Sequence, residues 1–141
     1  MTKAEIFEAL NRVADLDAEL KIIGIKIERL ETSVQGRAIR YDAVNVQTSP
    51  GDPVGQIAGD LSELLDKRKA LLDKMTQAVT FASELIDLVP DKTQRLVLYY
   101  HYIALESWAD VAERVRFTER HVFRLRDEAL GHIFKNFSKC Q

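Results

Sequence analysis

SWADVAERVRFTERHVFRLRDEAL, residues 107–130, has the pattern of a short helix, a three-residue break and a longer helix rich in arginine. Apolar residues recur at i, i+3, i+4 and i+7 in the first part, which is one stripe of a helix. They are Trp108, Val111, Ala112 and Val115. A second stripe with the same period follows at Val122, Leu125 and Ala129. Because the break is so short, the two helices must pack at a steep angle, as in a helix-turn-helix.

Capping residues extend this pattern into a three-helix C-terminal head. Pro90 disfavours helix at the residue before it, so we place a domain boundary there. Asp91 is suited to cap a helix over Lys92–Ile103, and Ser107 and Thr118 are suited to cap the next two. The sequence therefore predicts a head over residues 91–141.

Residues 1–90 have the pattern of a long antiparallel helical hairpin, similar to a coiled coil. Thr2 and Glu5 have the spacing of a capping box at its start. Apolar residues at steps of three and four follow from Ile6 to Val34, and again from Ile57 to Val89, where Arg68 takes one position of the seam. The stretch between them, at about 35–55, contains most of the turn-forming residues, and we expect it to be a mobile loop. The predicted fold class is all-α.

The second long helix has an additional apolar row. This row repeats every seven residues beside the main seam, at Leu65, Leu72, Val79 and Ile86. A seam between two helices needs only one row, so a second row makes a wider face that needs another partner. We expect these four residues to form an interface in a homodimer or higher homo-oligomer, or to dock another element of the chain.

Composition excludes several classes of protein. No apolar run approaches the length of a membrane span, and the N-terminus does not resemble a signal peptide. The lone Cys140 excludes an internal disulfide, and we expect a cytoplasmic protein. The three histidines are too scattered for metal ligands, and no phosphate-binding loop or nucleophile motif is present. We therefore expect no enzyme activity, no metal and no cofactor.

Positive charge is local to the C-terminal part. Residues 1–90 have 11 Lys and Arg against 15 Asp and Glu, a net charge of -4. Residues 91–141 have nine against seven, a net charge of +2. Five arginines and a single acid, Glu119, lie within residues 114–126. This cluster is the candidate binding surface for a polyanion.

The stretch YYHYIALESWADVAERVRFTERHVFRLRDEAL resembles the DNA-binding region four of sigma-70-type RNA polymerase sigma factors. The resemblance rests on Tyr102-Ile103, on Ser107 with Ala112, and on the Arg-x-Val-x-x-Leu pattern from Arg120 to Leu125. Nearly the whole chain is also similar, loosely outside the C-terminus, to small phage and prophage proteins of Gram-positive bacteria that are often described as sigma-like. The turn usually has glycine where this chain has Arg116, which must either adopt a left-handed conformation or remodel the turn. The apolar positions of the module are all kept, at Val111, Val115, Phe117, Val122 and Leu125.

This resemblance implies a recognition helix over residues 118–134, whose N-terminal turn enters the major groove of double-stranded DNA. The base-reading candidates are Thr118, Glu119, Arg120, His121 and Arg124. The phosphate-contacting candidates are Lys92, Arg114, Arg116 and Arg126. In the alternative interpretation, the arginines form a solvated face with partners four residues away, such as Arg124 with Glu128.

Two functions remain open. The first is a sequence-specific DNA-binding transcriptional regulator, and the sigma resemblance implies action beside RNA polymerase. No equivalent of the sigma regions that melt a promoter is visible in the sequence. The second is an oligomeric coiled-coil adaptor or structural protein, whose helix-turn-helix mediates protein contacts.

Overall fold

The computed structural model describes residues 1–43 and 53–139, with side chains described for 1–33 and 55–137. The described residues form five α-helices: α1 (Lys3–Ala43), α2 (Pro53–Asp87), α3 (Lys92–Leu98), α4 (Trp108–Val115) and α5 (Glu119–Lys139). A π-helical segment, Tyr99–Ile103, follows α3 directly. The all-α prediction is confirmed: α1 and α2 form a long antiparallel hairpin, and three short C-terminal helices pack together after it.

Helix α1 begins as the sequence predicts and ends later than it predicts. The Thr2 backbone N–H donates to Glu5 Oε2 at 2.9 Å, and the Glu5 N–H donates to Thr2 Oγ1 at 3.2 Å. This is the reciprocal pattern of a capping box. The helix then continues to Ala43, so the loop expected at about 35–55 is helical over residues 35–43. Gly36 weakens a helix by about 1 kcal/mol but does not interrupt it, and no proline occurs before Pro50.

Helix α2 begins at Pro53, a residue favoured at the first helical position because its missing N–H would have no partner there. The part of the predicted loop between the two helices, residues 44–52, lies outside the described residues.

The main seams of the hairpin helices are buried or half-buried, as their spacing predicts. On α1 the seam residues are Ile6, Leu10, Val13, Leu16, Leu20, Ile23, Ile27 and Leu30. On α2 they include Ile57, Leu61, Leu64, Leu71, Met75, Ala78, Ala82 and Leu85. Burial is deepest toward the start of α1 and the end of α2, where other helices are available to cover the seam.

The chain divides into two compact units, which are residues 17–74 and residues 1–16 together with 75–141. The second of these units has the larger core, and its fully buried side chains include Ile6, Leu10, Leu85, Ile86, Leu98 and Ile133. In the same unit, the rings of Phe7 on α1 and Phe134 on α5 are in contact, with centroids 5.6 Å apart. Residues on both sides of Pro90 thus share one core, while the functional division at Pro90 stays a prediction.

Three side-chain hydrogen bonds fix the joint between α2 and α3. The Arg95 guanidinium donates to the carbonyl oxygens of Val89 and Pro90 at 2.7 and 2.9 Å. The Tyr99 hydroxyl donates to Asp87 Oδ1 at 2.5 Å. Asp91 caps α3 as predicted, because its carboxylate accepts from the Gln94 N–H at 3.0 Å.

Candidate nucleic-acid interface

The turn between α4 and α5 depends on a left-handed residue. Arg116 has φ 63° and ψ 40°, so the chain adopts the strained conformation and does not remodel the turn. The Phe117 N–H donates to the Ala112 carbonyl at 3.0 Å, and the Arg116 N–H donates to the Glu113 carbonyl at 3.3 Å. These two bonds are those of a Schellman motif, which satisfies the last carbonyls of a helix.

Side-chain caps hold both helices of the motif at their starts. Ser107 Oγ accepts from the Asp110 N–H at 3.2 Å, and Thr118 Oγ1 accepts from the His121 N–H at 3.2 Å. Both predicted caps are therefore present. Together with the Arg116 turn they leave only Arg116, Phe117 and Thr118 between the two helices, and so fix where α5 begins.

A small apolar core packs the motif against α3. Val97, Val111, Ala112 and Val122 are buried in it, and it is completed by Tyr100, Trp108, Val115 and Leu125. Phe117 does not belong to this core. Its side chain is 41% exposed, although its position in the motif suggests an apolar core residue.

Trp108 lies at the centre of an aromatic cluster formed with residues of the π-helical segment and of α5. Its ring stacks on His101 with centroids 3.6 Å apart, and Phe123 meets it edge-on at 5.9 Å. The Arg126 guanidinium lies 5.3 Å from the Trp108 centroid and 4.9 Å from that of Phe123. Burial, assisted by the positive charge of Arg126, lowers the pKa of His101, while a hydrogen bond to the Glu106 carbonyl opposes this change.

The base-reading candidates lie together on the first turns of α5. Thr118, Glu119, Arg120 and Arg124 are exposed, and His121 is half-buried. The Arg124 guanidinium lies 3.1 Å from His121 Nδ1, so Arg124 does not form the alternative pair with Glu128. Glu128 instead accepts from Gln94 Nε2 at 2.9 Å.

The phosphate candidates differ in whether their charged groups already have partners within the chain. Arg114 makes a bidentate ion pair with Glu106, with one N–H···O distance of 3.0 Å, and lies over the Tyr100 ring. Arg126 pairs with Asp127 at 2.9 Å in addition to its ring contacts. Lys92 and Arg116 are exposed. Among the described residues, neither Arg116 nor Arg120 makes an ion pair, so their charges remain available.

The four residues expected at an oligomer interface do not share one environment. Ile86 is fully buried in the chain's own core. In this structure Ile86 has no exposed surface to offer a second copy, and the interface between copies stays a prediction. Val79 is half-buried, whereas Leu65 and Leu72 are 37% and 49% exposed.

Sequence reasoning missed two exposed isoleucines on α1. Ile22 and Ile25 are 54% and 66% exposed, and neither belongs to the apolar seam of the helix. Their spacing of three residues, off the seam, was the signal that could have found them. The structure also has a groove of about 300 Å³ lined in part by Asn11, His101 and Leu105, which no motif in the sequence indicates.

Neither metal ligands nor a membrane span is found in the described part of the chain. Of the side chains that the structure describes, no three from His, Cys, Asp and Glu come together as metal ligands would. Within residues 1–43 and 53–139, no helix has both the length and the apolar composition that crossing a membrane requires. Cys140 lies outside the described residues.

Comparison of the chain with protein-family models, with curated proteins and with solved structures gives no match.

Proposed function

We propose that this protein is a sequence-specific DNA-binding regulator of transcription, which places a recognition helix over residues 118–134 in the major groove. The observation that carries the proposal is the start of α5. A Schellman turn at Arg116 and a cap at Thr118 present Arg120 and Arg124 on an exposed helical turn. Helix-turn-helix proteins read bases from this part of the second helix.

The side chains divide into two sets by the contacts that they would make. Arg120 and Arg124 suit the O6 and N7 acceptors of guanine, and Glu119 suits a cytosine amine. Arg116 and Lys92 are exposed cations outside that turn, and we assign them to phosphates, which provide affinity without sequence information. Arg114 and Arg126 are assigned mainly to holding the head together, because both already have acidic and aromatic partners.

We also propose the class of regulator to which the protein belongs and its oligomeric state. The sequence resemblance supports a cytoplasmic phage or prophage regulator that acts beside RNA polymerase. A homodimer through the hairpin would present two heads, and paired half-sites are the expected target of such an arrangement.

Selection of bound fragments from genomic DNA, followed by titration at several salt concentrations, tests this function. We expect an enriched sequence and a logarithmic salt slope of roughly -3 to -5, corresponding to about three to five phosphate contacts. A competitor fragment with the enriched sequence scrambled serves as the control. Failure to enrich any sequence, together with no binding at low salt, would contradict the proposal.

The adaptor function is the alternative, and the exposed apolar residues of the hairpin favour it. Ile22, Ile25, Leu65 and Leu72 are each more than a third exposed. If these residues contact protein partners, Leu65→Lys with Leu72→Lys should change the oligomeric state measured by light scattering. Under the adaptor function this change occurs in a protein that binds no DNA. The regulator function requires DNA binding whatever the oligomeric state.

A further inference from the structure

An exposed pair of rings stands at the turn before the recognition helix. The Phe117 and His121 centroids are 4.6 Å apart, and the ring planes make an angle of 86°. Phe117 is 41% exposed, whereas the apolar core residues of the motif are buried or half-buried. A large apolar side chain left in solvent at a proposed DNA-contacting turn is a candidate for contact with a base.

The surroundings of His121 determine which atoms its ring can offer. Arg124 Nη2 lies 3.1 Å from His121 Nδ1, and a guanidinium can only donate hydrogen bonds. Nδ1 is therefore assigned as the acceptor of this contact, which leaves the ring N–H on Nε2. The His121 backbone N–H is occupied by the Thr118 hydroxyl, which also fixes the position of the residue. The pair thus offers one N–H donor beside one apolar ring.

This combination matches one base edge in the major groove. Thymine presents the O4 acceptor next to its 5-methyl group, and no other DNA base presents both. We infer that Phe117 and His121 together read a thymine, with Phe117 in contact with the 5-methyl group and His121 Nε2–H donating to O4. This inference rests on the proposed function and adds a base to the guanines assigned to Arg120 and Arg124.

The two halves of the contact are separable by base analogues. Deoxyuridine in place of thymidine removes only the methyl group. 5-Methylcytosine in place of thymine keeps the methyl group and replaces the O4 acceptor by an amine donor, with guanine in place of adenine on the other strand. The probe is a duplex selected from a random pool by the wild-type protein, with single substitutions at each thymine.

For the methyl group, we expect one deoxyuridine position to weaken wild-type binding about four-fold, the effect of exposing one methyl group. Phe117→Ala should bind the thymidine and deoxyuridine duplexes equally. Phe81→Ala, which removes a similarly exposed ring from α2, should keep the wild-type ratio. Because each ratio is measured within a single variant, a general loss of affinity does not affect it.

For the hydrogen bond, we expect 5-methylcytosine at the same position to weaken wild-type binding about five-fold or more, because the His121 donor then faces another donor. His121→Ala should lose most of this discrimination. A wild-type protein that binds its selected duplex but does not distinguish deoxyuridine from thymidine at any position would overturn the inference and leave the proposed function intact. If Phe117→Ala keeps the wild-type ratio, the inference also fails. If no duplex is selected at all, both fail.

Discussion

At the scale of single residues, Arg116 is where the sequence and the backbone conflict most. Its left-handed conformation costs a non-glycine residue about 1 to 2 kcal/mol. The Schellman bonds and the Thr118 cap hold the turn in this geometry despite that cost. The chain thus keeps a cation at the edge of the proposed interface at the expense of stability.

Substitution of Arg116 should separate stability from binding. We expect Arg116→Gly to raise the free energy of unfolding by about 0.5 to 1 kcal/mol, since relief of strain exceeds the added freedom of the unfolded chain. Arg116→Ala should give no such gain, because alanine has the same steric conflict. Both variants should weaken DNA binding equally, since both lose the charge. Urea unfolding and fluorescence titration measure the two effects, and equal stability of the two variants would contradict the strain argument.

His101 should make the stability of the head depend on pH. Burial lowers its pKa in the folded protein below 6.5, the ordinary value in the unfolded chain. The unfolded state therefore binds the proton more readily, and stability is lost as pH falls from 6.5 through the folded pKa. His101→Phe keeps a ring against Trp108 without the titration.

Thermal unfolding of His101→Phe at about pH 7.5 and about pH 5.5 checks this linkage. We expect a smaller loss of stability on acidification than in the wild type. His132→Phe is the matched control, because it makes the same substitution at an exposed position of α5. If both variants respond to pH as the wild type does, the burial of His101 has no thermodynamic consequence.

At the scale of elements, periodicity and capping predicted most of the fold. The caps at Thr2, Asp91, Ser107 and Thr118 are each present as hydrogen bonds. The extension of α1 to Ala43 was missed, because the regular apolar spacing of the sequence stops at Val34 and gives no sign of helix beyond it. The π-helical segment after Leu98 was also missed, since no local signal distinguishes it from α-helix.

The joint between α2 and α3 should depend on Arg95. Arg95→Ala removes two charge-assisted hydrogen bonds to the Val89 and Pro90 carbonyls. We expect a loss of about 1.5 to 3 kcal/mol, the usual range for hydrogen bonds to charged groups. Lys92→Ala, an exposed substitution on the same helix, should change stability by less than about 0.5 kcal/mol. Chemical unfolding followed by Trp108 fluorescence compares them, and similar effects of both substitutions would argue against this role.

The contacts within the candidate site could not be predicted from the sequence. The sequence located the arginine cluster, yet the pairing of Arg114 with Glu106 joins residues eight positions apart. This pairing depends on the conformation of the segment before α4, which contains Glu106, and the sequence pattern does not specify that conformation. The exposure of Phe117 was unpredictable for the same reason, because an apolar residue at a core position of the motif is normally buried.

At the scale of the whole molecule, the charges are segregated between two parts of the chain. The net charge is -4 over residues 1–90 and +2 over residues 91–141. This separation favours approach of a polyanion by the head and disfavours its approach to the hairpin. This charge distribution supports the proposed DNA-binding surface on the head.

Binding of the selected genomic fragment by Arg120→Ala with Arg124→Ala tests the central claim most directly. The matched control is Lys26→Ala with Arg29→Ala, which removes the same charge from exposed positions on α1. We expect the first double variant to bind at least about 30-fold more weakly, because each bidentate arginine–guanine contact contributes roughly 1 to 3 kcal/mol. The control should bind almost as the wild type does, and circular dichroism should show both variants folded. If the Arg120 and Arg124 double variant binds the fragment as the wild type does, the proposed recognition helix is wrong.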